Sequence, residues 1–266
     1  MSTQDQNQPR TPVWARPAPA VRQPRFTRGQ IAKAAIAIAD AEGFAALSMR
    51  RLADELGAGT MTLYHYVPSK QDLLALMNDE ILSELAGPDT SPGTASDTVP
   101  DAAPDTVPDI GWRDALARFG RGLRAISEHR PWVITVLGSK DIGPNGLRAL
   151  ERVLASLAGT PFDAAEKLEL IALISYYVAG YTTQATPAEE PGEEWINGVA
   201  AFVTSRLETG EFPHIQQLLD GGDAEAFVRR LDTQTAGDEQ FERGLTRILD
   251  GIEAELGRRW PAHDTS

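Results

Sequence analysis

Apolar residues recur along most of this chain three and four positions apart, the spacing of one face of an α-helix. The spacing predicts helices over residues 27–43, 48–56, 60–66, 69–85, 112–126, 147–157, 164–186, 193–207 and 238–256. A short segment at 212–219 and a further turn or two at 224–231 lie between the last two helices. We therefore expect an all-α fold.

Helix-capping residues support several of these boundaries. Thr27 and Gln30 have the spacing of a capping box, in which a hydroxyl and a side-chain amide satisfy amides of the first turn. Ser48 is a second candidate cap, and Ser69 with Asp72 forms a third pair at the same spacing. These positions predict where the first, second and fourth helices begin.

Residues 48–67 contain two short helices joined by a very tight turn. The first helix carries an apolar face and ends at Gly57, because glycine tolerates the left-handed conformation that stops a helix. In the second helix we expect Leu63 and Val67 to face the first. The residues expected to point elsewhere are Thr60, Met61, Thr62, Tyr64, His65 and Tyr66.

The outward composition of this second helix is unusual for a surface in water. It offers hydroxyls, phenols and an imidazole but no Glu or Lys. This composition is typical of a helix-turn-helix, whose second helix enters the DNA major groove with its polar face toward the bases. The alternative is a small helical hairpin in which Tyr64 and Tyr66 are half-buried packing residues.

The net charge of −13 at first argues against a nucleic-acid partner, but the charges are unevenly distributed. Residues 1–70 carry nine Lys and Arg against five Asp and Glu, whereas residues 71–266 carry 16 against 33. A basic head on an acidic body is compatible with phosphate binding at one end. The chain has no cysteine, no apolar run near ~20 residues and no apolar signal-peptide core, so we expect a cytoplasmic protein.

Residues 26–85 resemble the DNA-binding unit of the tetracycline-repressor (TetR) family. The matching residues are Leu47-Ser48-Met49-Arg50-Arg51-Leu52-Ala53, Leu56-Gly57, Thr62-Leu63-Tyr64-His65-Tyr66-Val67 and Lys70-Gln71-Asp72-Leu73-Leu74. The resemblance implies a three-helix DNA-binding domain joined to a larger helical domain for ligand binding and dimerisation. It also implies that Thr60, Met61, Thr62 and His65 face base edges, and that Arg50, Tyr64, Tyr66 and Lys70 hold phosphates.

The predicted domain organisation has four parts. Residues 1–24 are expected to be a disordered basic arm, either a solubilising tail or a DNA-contacting segment. Residues 25–86 form the helix-turn-helix domain with its connecting helix, and residues 87–109 an acidic, proline-rich disordered loop. Residues 110–258 form the helical domain for effector binding and dimerisation.

The last predicted helix also resembles the C-terminal domain of TetR-like proteins, where it and the long helix before it build a homodimer's four-helix bundle. Gly244 and Gly251 lie seven residues apart, which suggests close packing against another backbone. We expect Gly244, Ile248, Gly251 and Ile252 to contribute to the dimer interface.

An effector pocket is expected among the helices of the body. The candidate lining residues are aromatic residues with polar tips and two neutral hydrogen-bonding residues: Trp112, Trp132, Thr135, Tyr176, Tyr177, Tyr181 and Gln184. Residues 170–184 contain no charged side chain, so a mostly apolar, uncharged or weakly cationic ligand is expected. The alternative is that Tyr176 and Tyr177 only pack. Tetracycline is disfavoured, because Val136 aligns with the family's metal-ligating histidine.

These observations together predict a small-molecule-responsive transcriptional repressor, released from an inverted-repeat DNA operator by its effector. A DNA-binding architectural protein without a ligand is the first alternative, and an all-α enzyme is the second. The chain has four His and no common catalytic motif, so we expect neither enzymatic activity nor a cofactor or metal site.

Overall fold

A computed structural model describes residues 13–15, 25–85, 111–137, 141–185, 192–219, 223–233 and 237–259. These residues form helices and contain no strand, so the all-α prediction is confirmed. The helices are α1 (Arg28–Glu42), α2 (Met49–Glu55), α3 (Thr60–Tyr66), α4 (Lys70–Leu85), α5 (Trp112–His129), α6 (Ile134–Leu137), α7 (Pro144–Ser156), α8 (Ala164–Ala185), α9 (Glu193–Leu207), α10 (Pro213–Leu218), α11 (Ala224–Thr233) and α12 (Asp238–Arg259). None of these described helices has the length and apolar character needed to cross a membrane.

The predicted caps are present at the starts of α1 and α2. The Gln30 amide donates to Thr27 Oγ1 at 3.1 Å, while the Thr27 amide donates to Gln30 Oε1 at 2.9 Å. Ser48 Oγ accepts from the Arg51 amide at 3.1 Å. Since each cap satisfies an amide that the helix itself leaves unpaired, these residues fix where α1 and α2 begin.

The chain divides into two compact units, and the first comprises residues 1–171. Within it α4 is the central helix, in contact with α1, α5, α6 and α7. Leu73, Leu76, Met77 and Ile81 of α4 are fully buried there. The predicted connecting helix therefore lies in one core with the DNA-binding helices α1–α3 and with α5–α7.

The second unit comprises residues 172–266 and contains most of α8 together with α9–α12. One cluster joins α9 to α10 and α11 through Ile196, Ala200, Leu219, Ala224 and Val228. A separate set of aromatic contacts joins α8 to α12.

The structure differs from the predicted disordered arm at Val13–Ala15, which form a 3-10 turn. Val13 is buried and belongs to the core cluster that includes α1 and α4. The physical reason is that Val13 and Trp14 are apolar and that the turn which carries them packs against α4 and the core of the first unit. The rest of residues 1–24, and the whole predicted loop 87–109, lie outside the described residues.

Candidate functional site

The turn between α2 and α3 depends on the left-handed conformation of one glycine, Gly57. Gly57 has φ of +58°, in the left-handed region that favours glycine. The Ala58 amide then donates to the Ala53 carbonyl at 2.9 Å, which closes the end of α2. Gly59 precedes α3 in an extended conformation, so the chain reverses within three residues.

The inner face of α3 is formed by the residues that the sequence predicts, Leu63 and, directly after the helix, Val67. Leu63 is fully buried, Val67 after the helix is also fully buried, and both belong to one core with Leu52 and Ala53 of α2. Because the Leu63 side chain is buried in the core, the side chains of its two neighbours in the helix point toward solvent. The prediction that Leu63 and Val67 face inward is confirmed.

The outer face of α3 is exposed and carries neutral polar groups with one thioether. Met61 is 75% exposed and Tyr64 is 42% exposed. Thr62 and His65 are exposed as well, and Thr60 is half-buried. An exposed methionine has no internal packing role, so this face is a surface available for a partner.

Tyr66 points inward, which corrects the predicted outward orientation. It is only 7% exposed, its hydroxyl accepts from the Arg25 amide at 3.1 Å, and its ring meets Phe26 edge-on at 6.2 Å. Helical geometry is the reason, because Tyr66 follows the buried Leu63 by three positions and so shares its face. The phenol reaches a polar partner at the edge of the core, as buried tyrosines commonly do.

Arg25 is a structural residue that the sequence pattern did not single out. Besides its amide contact with Tyr66, its guanidinium Nη2 donates to the Gly57 carbonyl at 2.7 Å. It thus ties the chain before α1 to the turn before α3. No local pattern marks it, since its two partners lie 32 and 41 residues away in sequence.

The cations near this face have different roles. Arg51 of α2 pairs with Glu42 at 2.6 Å and with Glu55 at 2.8 Å. The hydrogen bond from Arg51 lowers the pKa of Glu42, and the bonds to Glu42 and Glu55 raise the pKa of Arg51. Arg50 and Lys70 are both exposed, and the Lys70 ammonium lies 5.7 Å from the centre of the Phe44 ring. Arg51 is therefore engaged within the protein, whereas Arg50 and Lys70 present their charge to solvent.

The residues predicted for the dimer interface fall into two groups. A side chain at Gly244 would collide with the Tyr177 phenol of the same chain, and Ile252 is buried within the chain. Packing inside one protomer already involves both residues, and their contribution to the dimer interface stays a prediction. Ile248 is half-buried, and at Gly251 no atom of the described residues lies within 4 Å of where a Cβ would be.

The predicted pocket residues Tyr177 and Tyr181 bind the start of α12. The Tyr177 hydroxyl donates to the Phe241 carbonyl at 2.8 Å, and the Tyr181 hydroxyl donates to the Gly237 carbonyl at 2.6 Å. Both rings contact the fully buried Phe241 ring, with centroids 5.4 and 5.2 Å away. Both tyrosines therefore have a packing role between α8 and α12, and effector binding by them stays a prediction.

Trp132 belongs to a polar and aromatic group that we call the Arg130 cluster, comprising Asp40, Phe44, Glu84, Arg130 and Trp132. Arg130 Nε donates to Asp40 Oδ2 at 3.1 Å and Arg130 Nη1 to Glu84 Oε1 at 2.6 Å. Trp132 Nε1 donates to the other Asp40 oxygen at 2.9 Å and its ring stacks on Phe44 with centroids 5.7 Å apart. The segment between α5 and α6 is thereby bonded to α1, to α4 and to the residues that lead into α2.

The remaining candidates for the effector pocket differ in their exposure and lie on different helices. Tyr176 is 75% exposed on α8, Thr135 is exposed and Trp112 is half-buried at the start of α5. Gln184 lies in α8, but its side chain is outside the described residues.

Comparison with known proteins agrees with the helix-turn-helix geometry. Residues 31–77 match the family described as "Bacterial regulatory proteins, tetR family". Residues 103–256 match "Tetracyclin repressor-like, C-terminal domain", which covers more than half of the chain. The two matches divide the chain between a DNA-binding part and a C-terminal part, as the resemblance of the motifs predicts.

Individual relatives support the same assignment. The HTH-type transcriptional repressor DrrR1 of Streptomyces coeruleorubidus is 32% identical over 241 residues, which cover 89% of this chain and 81% of that protein. An HTH-type transcriptional regulator of Saccharopolyspora erythraea is 29% identical over 253 residues, 92% of each chain. The structure of the Streptomyces coelicolor TetR family protein ActR in complex with actinorhodin matches with a TM-score of 0.64 at 26% identity, covering 87% of this chain and 97% of that one. The exposed face of α3, the two matched regions and these relatives show that the chain belongs to the TetR family of bacterial transcriptional regulators.

Proposed function

We propose that the chain is a homodimeric repressor that binds an inverted-repeat operator through α3 and is released from it by a small organic molecule. The observation that carries the proposal is the outer face of α3, where Met61, Thr62, Tyr64 and His65 are exposed above a buried Leu63. The relative DrrR1 is a repressor, and ActR has been solved with a bound small molecule.

The residues of α3 fit two kinds of DNA contact. We assign Thr60, Met61, Thr62 and His65 to base edges. Hydroxyls and an imidazole can exchange hydrogen bonds there, and the Met61 thioether can contact only an apolar group such as a thymine methyl. We assign Tyr64, Arg50 and Lys70 to phosphates, which position the helix without specifying sequence. Tyr66 is left out, because its hydroxyl is engaged with the Arg25 amide.

The experiment begins with selection of the operator from random DNA, followed by affinity measurements over a range of salt concentrations. Lys70→Gln should reduce the slope of log affinity against log salt by about one, for all sequences alike. His65→Ala should weaken binding by ~1–3 kcal/mol at one base pair and leave the salt slope unchanged. Lys167→Gln in α8 is the matched control for a lost positive charge. The assignment is wrong if Lys70→Gln and His65→Ala bind as the wild type does.

The dimer contact is proposed on the outer face of α8 and the adjoining part of α12. Leu173 and Tyr176 are apolar or aromatic and exposed, Gly180 is exposed, and Gly251 on α12 has open space above it. A two-fold axis there would pair this face with its own copy. An inverted-repeat operator then requires the two recognition helices to lie about 34–36 Å apart, or a multiple of that distance. Gly251→Leu is a sensitive test, because no described atom of the protomer lies within 4 Å of a Cβ at this position, whereas a partner packed against it would be displaced. A Gly251→Leu protein that remains dimeric in sedimentation would contradict this placement.

For the effector we propose how its binding is transmitted to the helix-turn-helix, and we do not assign the residues that line its pocket. Arg130 joins α1 and α4 through two ion pairs that are partly exposed. Such pairs contribute about 0–1 kcal/mol each, a magnitude similar to the ~1–3 kcal/mol of typical allosteric coupling. A ligand that shifts the segment between α5 and α6 can therefore exchange these bonds for others, and so move the helix-turn-helix.

A thermal-shift screen of small molecules, followed by operator-release assays, tests this route. The same screen separates the proposal from a ligand-independent architectural protein, which would bind operator but respond to none of the compounds. Trp132→Phe removes the bond to Asp40 while it keeps the stacking on Phe44. We expect it to change the concentration of ligand that releases DNA without changing ligand affinity. Unchanged release by this variant would exclude the Arg130 cluster from the coupling.

A further inference from the structure

Two apolar residues of the N-terminal arm are embedded in the first compact unit. Val13 is 1% exposed and clusters with core residues of α1 and α4. Trp14 packs at the edge of the same core, and the 3-10 turn Val13–Ala15 contacts α4. A segment that served only as a solvated tail or a DNA-contacting arm would have no reason to bury a valine in this position.

Trp14 lies where three helices meet. The Arg28 guanidinium, at the first residue of α1, is 5.7 Å from the centre of the indole ring. At the N-cap of α7, a methyl group on Gly143 would collide with both the Trp14 ring and the Asp79 carboxylate of α4. The indole is thus in close contact with the α4–α7 junction, and only a glycine at residue 143 leaves room for it.

Asp79 holds the start of α7 at this same point. Asp79 is 3% exposed, and its Oδ1 accepts from the Gly146 amide at 2.9 Å. Gly143 offers no side chain to cap α7, so a carboxylate from α4 takes that role. The start of α7 is therefore fixed to α4 by a buried carboxylate that Trp14 covers.

We propose that Val13–Trp14 is an intramolecular latch, which keeps water from the Asp79 cap of α7 and so holds α7 in one position on α4. Because α4 follows directly from the helix-turn-helix, the latch favours the head position seen in this structure. Its effect on operator affinity rests on the proposed function, whereas its effect on α7 does not. The proposal assigns these two residues to the joint between helices, and it leaves the basic residues of the arm available for DNA.

The first test measures amide hydrogen exchange of the full chain by mass spectrometry. Trp14→Ala should raise the exchange rates of the Asn145 and Gly146 amides by about tenfold or more, since water then reaches the Asp79 cap. Trp195→Ala is the matched control, because Trp195 is an exposed tryptophan in the other compact unit. Trp14→Phe should stay close to the wild type, because the Trp14 Nε1 has no hydrogen-bond partner among the described residues and only its packing is used. Exchange in Trp14→Ala within twofold of the wild type would overturn the latch.

The second test uses the operator duplex recovered by selection. Trp14→Ala should change operator affinity about threefold or more with an unchanged salt slope, because it removes no cation. A triple variant with Arg10→Gln, Arg16→Gln and Arg22→Gln is compared with Trp14→Ala. A lower slope of log affinity against log salt in the triple variant would indicate phosphate contacts made by the arm. If Trp14→Ala speeds exchange in α7 but leaves operator affinity unchanged, the effect on the head is overturned. If the wild type selects no DNA at all, the proposed function fails, and the exchange result still decides the latch.

Discussion

The α2–α3 pair and the α8–α12 pair both present aromatic residues, but they complete their packing in different ways. In the first pair Leu52, Leu63 and Val67 are fully buried by residues of the same unit. In the second pair Phe241 is fully buried, yet Leu173 and Tyr176 of α8 remain exposed. The first pair closes its core within one chain, whereas the second leaves apolar side chains exposed on the face of α8 for which we propose a second copy of the chain.

This difference separates residues that keep the fold from residues that act on partners. Around α3, the inner face is buried in the core, and the outer face is the proposed site of DNA contact. Around α8, the face toward α12 is structural and the opposite face is the proposed site of association. Substitutions on the two kinds of face should therefore change different measurements. Three experiments test this, and a fourth concerns the buried Asp79 of α4, in order from the largest expected effect to the smallest.

Leu63→Ala should have the largest effect. It removes a fully buried side chain from the core beneath α3, and large-to-small changes of this kind cost about 2–5 kcal/mol in the free energy of unfolding. Urea denaturation followed by circular dichroism measures the loss. Leu231→Ala is the control, since Leu231 is 59% exposed and its truncation should change stability by less than about 0.5 kcal/mol. Equal effects of the two changes would mean that α3 is not held from inside.

Tyr176→Glu should weaken association of the protomers by about 2 kcal/mol or more, because it places a charge in the proposed apolar interface. The unfolding of each protomer should change little, since the side chain is largely exposed within one chain. Sedimentation equilibrium measures the dissociation constant. Phe202→Glu, on the exposed surface of α9, is the matched control and should remain dimeric. Dissociation by Phe202→Glu but not by Tyr176→Glu would move the interface to α9.

Tyr66→Phe and Tyr64→Phe remove the same hydroxyl from opposite faces of α3. The first leaves the Arg25 amide without its acceptor and should lower the free energy of unfolding by about 1 kcal/mol. The second should leave stability unchanged and weaken operator binding, because Tyr64 is assigned to a phosphate. Thermal unfolding and DNA titration of both variants give the comparison. The two-face description would be wrong if Tyr64→Phe lowered stability while Tyr66→Phe did not.

The smallest expected effect is a pH dependence at Asp79. Burial raises the pKa of this carboxyl above its ordinary value of 3.8, although the amides of Gly146 and Asn145 oppose the shift. The folded chain then keeps this proton to higher pH than the unfolded chain does, so stability falls as pH rises through the window just above 3.8. Asp79→Asn should remove that fall, and Asp114→Asn on the exposed surface of α5 should keep it. Urea midpoints measured from pH 4 upward provide the check, and equal slopes for both variants would exclude Asp79 as the source.

Local patterns in the sequence predicted the helices and the caps at Thr27 and Ser48, because those features depend on residues three or four positions apart. The inward orientation of Tyr66 was also available from its spacing to Leu63, but the polar hydroxyl suggested an outward side chain. Gly244 was correctly interpreted as a place of close packing, although its neighbour is a tyrosine ring of the same chain rather than another backbone.

Other features depend on contacts that no local pattern contains. Arg130 and Asp40 are 90 residues apart in sequence. Trp14 and Gly143, the N-cap residue of α7, are more than a hundred residues apart. The sequence around Arg130 and Trp14 does not identify their partners, because residue type and local spacing do not distinguish them from other surface arginines or terminal tryptophans. The sequence therefore predicted the inner and outer faces of α3 more fully than it predicted how the rest of the chain is connected to that helix.

The exposure of Met61 has a chemical consequence in a chain without cysteine. Among the exposed side chains of α3, its thioether is the group that oxidants convert most readily, to a sulfoxide that methionine sulfoxide reductases can reverse. Oxidation would replace an apolar tip with a strong hydrogen-bond acceptor at the surface assigned to a thymine methyl. On the proposed assignment of Met61 to a base edge, a single oxygen atom would thus change the contact that the helix offers to DNA, with no change in the charge of the side chain.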